Sequence, residues 1–167
     1  DHVIQLYSFS KVYRLTGHRV GLMVASESFI KQVEKFLDTT TICPNRLAQK
    51  AAYFGLLNLQ EFVVKEKLKI EKLKDIFERE LQDIENWSLL GIGGYFAYLG
   101  YNSKMDSISI AKKLLADQNI LTIPGEMFFP KSKNLFVKEK RSIRIAFANS
   151  TYEEMIDLFK RLKNFVL

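Results

Sequence analysis

The stretch from Gln60 to about Glu85 constrains this chain more than any other. Val63, Ile70, Leu73, Phe77, Leu81 and Ile84 recur at spacings of three, four or seven residues, with charged residues between them. That is the one-sided pattern of an amphipathic helix. Glu61 and Lys65 add a favourable four-residue pair on its outer side. A coiled coil competes for the same pattern, but the stripe lasts only about three heptads, the low end of what such a rod requires. The spacing therefore predicts one long helix that bridges two packed units.

On the N-terminal side of that helix, Val3–Tyr7 and Val20–Ala25 read as strands. Ser26 or Ser28 caps a helix running to about Leu37. Asp38–Asn45 is a polar break ending in Cys43-Pro44, because the residue before proline is biased away from helix. An alanine-rich helix follows over Arg46–Leu57. On the C-terminal side, Gly91, Gly93 and Gly94 end the helical pattern, and Tyr95–Tyr101 is aromatic and strand-like. Asp106 or Ser107 starts a helix reaching about Asp117, and Ile120–Ile123 is a short strand closed by Pro124-Gly125. Phe128, Phe129 and Pro130 lead into a polar, lysine-containing loop. Ile143, Ile145 and Phe147 then alternate with Arg144, Ala146 and Ala148, the period of a half-buried strand. Thr151 and Glu154 form a capping box for a last helix to about Phe165, with Met155, Leu158, Leu162 and Phe165 on its inner face. The expected organisation is residues 1–58, a bridging helix over 59–85, and a small α+β unit over 86–167. The second unit has the elements to stand alone; the first lacks a full sheet.

A chain of 167 residues buries one ordinary core, or a core with a smaller appended unit. Its net charge of +6 raises nucleic acid as a partner. Yet the densest basic run, Lys65–Lys74, interleaves with Glu66 and Glu71, as a solvated helix face does. No nucleic-acid module accompanies it, so no nucleic-acid partner is expected. No apolar run approaches the ~20 residues of a membrane span, and nothing at the start marks the chain for export. The single cysteine, Cys43, excludes an internal disulfide and fits a reducing compartment, so the expected location is cytoplasmic. With that one cysteine, His2 and His18, no metal site is expected.

Chemistry concentrates between Ser8 and Gly21. Lys11 follows Ser8 and Ser10, and Gly17, Arg19 and Gly21 come after it at fixed offsets. A lysine amine captures an aldehyde when it is deprotonated part of the time, and a nearby cation and desolvation both favour that. The arginine fork suits a phosphate, and a serine hydroxyl donates to another phosphate oxygen. This run resembles the lysine signature of the class I and II aminotransferases among the fold-type I pyridoxal-phosphate enzymes. That signature is two serines flanking one residue, the Schiff-base lysine, and then glycine, arginine and glycine. All six positions are met.

The resemblance implies an α/β chain that is the C-terminal fragment of the pyridoxal-phosphate-dependent transferase fold. It would hold the end of the large-domain sheet, a long bridging helix and a small α+β domain. It further implies that Lys11 binds pyridoxal 5'-phosphate and moves the proton at the substrate α-carbon. Arg19 and Ser8, with Ser10 as a lesser contributor, would hold the phosphate. Ile143–Ala148 resembles the family strand whose arginine pairs with the substrate α-carboxylate, and Pro124–Phe128 resembles the substrate-side loop that precedes it. Arg144 would then bind substrate. Pro44 and Gln49 resemble a stretch near the family's subunit interface, with Cys43 in place of the family's asparagine. The implied reaction is exchange of an amino group between an amino acid and a 2-oxo acid, in a homodimer when full length. A lyase or condensing enzyme of the same fold shares these motifs, and a non-catalytic module retaining the fold is the reading from another class. The family's ring-binding residues would precede Asp1, so the isolated chain is expected to be inactive.

Overall fold

The computed structural model describes residues 3–129 and 141–167. The polar, lysine-containing loop read after Phe129 lies outside those residues, as does His2. The chain divides into two compact units, Asp1–Lys67 and Leu68–Leu167, and the division falls inside one long helix.

The first unit opens with a strand, β1 (Gln5–Ser8), and a one-turn helix, α1 (Phe9–Val12). A 3₁₀ turn over Thr16–His18 leads to β2 (Gly21–Val24). The two strands pair antiparallel, with Gln5 opposite Val24 and Ser8 opposite Gly21. Two helices follow, α2 (Glu27–Thr40) and α3 (Arg46–Asn58), then the first turns of α4 (Gln60–Gln82). A small core of Phe9, Tyr13, Val20, Ala48 and Ala52 ties α1 to α3. The strands are not covered: Leu6 is 72% exposed and Val24 53%. α2 runs past the expected end at Leu37. The Thr39 and Thr40 hydroxyls donate back to the Phe36 carbonyl at 2.8 and 3.1 Å, so residues that read as a polar break close the last helical turn. Asn45 then caps α3, its side chain accepting from the Leu47 amide at 2.8 Å.

The second unit takes the rest of α4 and adds β3 (Trp87–Gly93), β4 (Phe96–Tyr101) and α5 (Ser107–Gln118). A two-residue strand β5 (Ile123–Pro124), a 3₁₀ turn (Gly125–Phe128), β6 (Ser142–Ala146) and α6 (Tyr152–Lys163) complete it. The sheet order is β3-β4-β6-β5, every neighbouring pair antiparallel. Phe77 and Leu81 of α4, Ile110 and Leu114 of α5, and Met155 and Leu162 of α6 pack into one core with Leu99, Ile143 and Phe147. The capping box on α6 is formed as read, Thr151 accepting from the Glu154 amide and Glu154 from the Thr151 amide.

The second unit also differs from the sequence reading. Trp87–Gly93 is a strand, where the glycines read only as breakers; they sit beside a bulge between Leu89 and Gly91 and before the turn at Gly94. Ile120 is not in a strand, because its amide bonds the Leu114 carbonyl at 3.1 Å. With Asn119 left-handed, that closes the C-terminus of α5. On α6 the buried face is Met155, Phe159 and Leu162, and Leu158 is only half-buried.

Tyr101 gives this unit an alkaline limit. Its hydroxyl donates to the Met105 carbonyl at 3.1 Å. Burial first, and the Asp106 carboxylate second, push the phenol up to about 12 against an opposing effect of Arg141. The folded state thus keeps a proton that the unfolded chain releases near pH 10. The contribution is intact below that and lost as pH rises toward 12. Thermal midpoints are expected to fall more steeply across this window in the parent than in Tyr101→Phe; equal slopes would contradict it. Among the described residues no helix is long and apolar enough to cross a membrane.

Candidate active site

The first cluster lies at one end of the β1–β2 pair. Chain pairing places Ser8 opposite Gly21, so the segment leaving Ser8 and the segment entering Gly21 meet at the same end of the two strands. Lys11 is carried not by the strand end but by the one-turn helix α1 that follows it. Ser8 is the N-cap of α1, its Oγ accepting from the Ser10 amide at 3.3 Å. A hydroxyl that accepts there keeps its O–H free to donate to a ligand. Lys11 is exposed and Ser10 half-buried. The helix is fixed by its apolar residues: Phe9 and Tyr13 are buried with rings stacked 6.0 Å apart, and Tyr7 meets Phe9 edge-on at 5.0 Å.

Arg19 stands at the other side of this end, exposed and left-handed, with φ 51°. A non-glycine residue with positive φ is uncommon and marks a backbone held by its surroundings. Its Nη1 donates to the Thr16 carbonyl at 3.0 Å, which fixes the guanidinium and leaves other N–H groups for an anion. A side chain at Gly21 would meet the Tyr7 carbonyl at 3.0 Å, so this glycine serves the strand pairing, whereas Gly17 has open space around it. The loop between Lys11 and Arg19 has an anchor that the sequence reading did not single out. Arg14, also left-handed at φ 55°, pairs with the Glu66 carboxylate of α4 and lies over the Phe62 ring, 5.6 Å from its centroid. Nothing in the linear sequence links Arg14 to a residue fifty-two positions on.

The second cluster surrounds Arg144 on β6. In the register, Arg144 is opposite Tyr98 on β4 and Ile123 on β5. It is half-buried, not solvent-facing, and its Cζ lies over the Phe96 ring at 4.2 Å and the Phe128 ring at 4.6 Å. Among the described residues no hydrogen bond or ion pair accounts for its N–H groups. A half-buried guanidinium held by aromatic faces alone is equipped to take an anion from outside the chain.

The turn carrying Phe128 is locked to the sheet. The Ser142 hydroxyl donates to the Tyr98 oxygen at 3.1 Å, and the Tyr98 hydroxyl donates to the Gly125 carbonyl at 3.4 Å. The Glu126 amide donates to Ser107 Oγ at 3.2 Å. Gly125 has no room for a side chain: a Cβ would collide with Ser142 Oγ and come within 2.7 Å of the Ser142 carbonyl and 2.9 Å of the Tyr98 hydroxyl. Gly125→Ala is expected to lower the stability of this unit by about 1–3 kcal/mol, since backbone cannot yield as a flexible side chain would. Denaturant unfolding followed at Trp87 measures it; a loss under about 0.5 kcal/mol, the range of a neutral surface change, would contradict the tight fit.

The whole chain has relatives. Residues 1–162 match the family model "Aminotransferase class I and II". An aspartate aminotransferase from Sulfurisphaera tokodaii is 31% identical, over 99% of this chain and 41% of its own length. A probable N-succinyldiaminopimelate aminotransferase from Thermus thermophilus matches in structure with a TM-score of 0.82 at 21% identity, covering 97% of this chain and 41% of that one. An L-threonine-O-3-phosphate decarboxylase from Porphyromonas gingivalis matches with a TM-score of 0.71 at 23% identity, covering 96% and 46%. At such identities the structural matches speak for the fold alone. The chain spans about two fifths of the length of the curated relatives it matches. On the family match and the fold together, this chain belongs to the class I and II aminotransferases, a family whose solved structures include pyridoxal-phosphate-dependent enzymes.

Proposed function

We propose that the protein carrying this chain is an aminotransferase that moves an amino group between an amino acid and a 2-oxo acid, with pyridoxal 5'-phosphate held at Lys11. The observation that carries this reading is the delivery of Ser8, Lys11 and Arg19 to one end of the β1–β2 pair. The donor set fits the cofactor: an amine for its aldehyde carbon, and a hydroxyl and a guanidinium for its phosphate. Ser8 and Arg19 hold the phosphate, and Ser10 stands beside them as a lesser donor. When bound, the cofactor supplies an electron sink for the pair released at the substrate α-carbon. The Lys11 amine takes the proton from that carbon and returns it elsewhere, general base and then general acid. Arg144 pairs with the substrate α-carboxylate through its fork of N–H donors and so fixes which α-bond is presented for reaction.

The exposed apolar residues of the first unit support a larger assembly around it. Leu6, Leu22 and Val24 on the strand pair suit completion of the sheet by more of the fold, and Tyr53, Phe54 and Leu57 on α3 suit a homodimer. The decarboxylase among the fold neighbours supports keeping a second reading, a lyase on the same scaffold. A half-reaction with an amino acid alone separates them. An aminotransferase releases the matching 2-oxo acid with its carbon skeleton intact, and a decarboxylase releases carbon dioxide. The cofactor site itself is tested by loading the intact protein with pyridoxal 5'-phosphate, reducing with borohydride and mapping the peptide. The pyridoxyl mass is expected on Lys11; its appearance elsewhere, or nowhere, would sink the reading.

A further inference from the structure

We infer that Phe96 and Phe128 are positioning residues that hold the Arg144 guanidinium in place, with its N–H donors turned to an incoming carboxylate. This rests on the carboxylate role proposed for Arg144 and adds the device that makes the role efficient. The two rings come from different elements, Phe96 from β4 and Phe128 from the 3₁₀ turn, and converge on one Cζ at 4.2 and 4.6 Å. Phe96 is opposite Ala146 in the β4–β6 register, two residues along from the Tyr98–Arg144 pair, so it lies diagonal to Arg144 on the same face. Phe128 also meets the Tyr98 ring edge-on at 6.1 Å, and Tyr98 is bonded to the Gly125 carbonyl. The clamp is thus built on the same turn that Gly125 packs against β6.

Chemistry explains why rings rather than carboxylates do the holding. An arginine is usually oriented by an acidic partner, which would occupy the N–H fork and neutralise it. Ring faces attract the cation through their quadrupole and leave the donors available. The ordering of a long side chain is then completed before the ligand arrives, which strengthens binding without any added contact to the ligand.

The test uses the full chain, labelled with nitrogen-15, and pyruvate as the probe carboxylate. The Arg144 Nε–Hε resonance is assigned by its disappearance in Arg144→Gln. In the parent it is expected to be displaced by ring currents and to shift on addition of pyruvate. Phe128→Leu and Phe96→Leu are each expected to return it toward the free-arginine position and to weaken pyruvate binding about three- to tenfold. Phe128→Tyr, which keeps a ring, is expected to restore both. A resonance that stays put in both leucine variants overturns the clamp, and so does a moved resonance with unchanged affinity. A parent with no pyruvate-dependent shift, or an Arg144→Gln chain that binds as tightly, overturns the carboxylate role instead. The ring-current result separates that failure from a failure of the clamp. Since Phe128 is half-exposed and its turn is held by Tyr98, Ser142 and Ser107, its leucine variant is expected to keep the parent's melting temperature.

Discussion

Lys11→Ala is expected to abolish turnover in the intact protein while leaving the fold alone. The loss in kcat should be about 10³-fold or more, roughly 4 kcal/mol of barrier, because under the proposed role the proton carrier and the cofactor's covalent anchor would vanish together. The fold does not depend on this side chain for its core: α1 is held by the buried Phe9 and Tyr13. Compared as cofactor-free proteins, so that the stabilisation by bound ligand drops out, parent and variant should keep the same fold and similar melting temperatures. Lys11→Arg is the sharper control. It keeps the positive charge and much of the stem, yet a guanidinium cannot be deprotonated in a protein and so can neither capture an aldehyde nor take a proton. Both variants should be dead and folded. A Lys11→Arg protein that retains more than a tenth of the parent rate would mean that some other group moves the proton.

Much of this was legible because the residues concerned act over short distances in sequence. The long helix was readable from Phe77 and Leu81 and their period, and the start of α6 from the Thr151–Glu154 box, since caps are made by residues three apart. The lysine signature is likewise local: Ser8, Lys11 and Arg19 lie within one strand–turn–strand segment. The same strand pairing explains why a linear spacing corresponds to one place in space.

What stayed hidden depends on tertiary partners. The alternation around Arg144 identifies a strand but not which face is covered. That is decided by Phe96, forty-eight positions away, and Phe128 in a turn whose geometry no period encodes. Tyr95–Tyr101 reads only as an aromatic strand, and nothing in it shows that Phe96 lies against Arg144 or that Tyr98 bonds the turn beside it. Gly91 and Gly93 mask β3, because glycine carries the same letter whether it breaks a helix or bulges a strand. The threonines at 39 and 40 read as polar linker, and only their bonds to Phe36 turn them into the end of α2.

Phe77→Ala should be the most damaging substitution in the second unit. Phe77 is 0% exposed, and its ring meets Phe159 of α6 edge-on at 4.9 Å and Phe147, just past β6, at 5.6 Å. It is thus where α4, α6 and the sheet close on one another. Removing the ring takes away its transfer energy and leaves a cavity bounded by two other aromatic side chains, each held by its own element. Collapse can fill little of it, so the cost should be about 3–5 kcal/mol. Against a typical domain stability of about 5–15 kcal/mol, that leaves a marginal unit. Phe77→Leu keeps most of the volume and should cost less than half as much. Leu68, 53% exposed on the same helix and within this unit, supplies the control: Leu68→Ala should change stability by no more than about 0.5 kcal/mol. The chain's one tryptophan, Trp87, sits in this core beside Tyr101 and Phe165, so its fluorescence in denaturant reports on this unit. A Phe77→Ala loss below about 1 kcal/mol would mean that the three rings do not share a packed core, because a large-to-small change in a rigid interior cannot be so cheap.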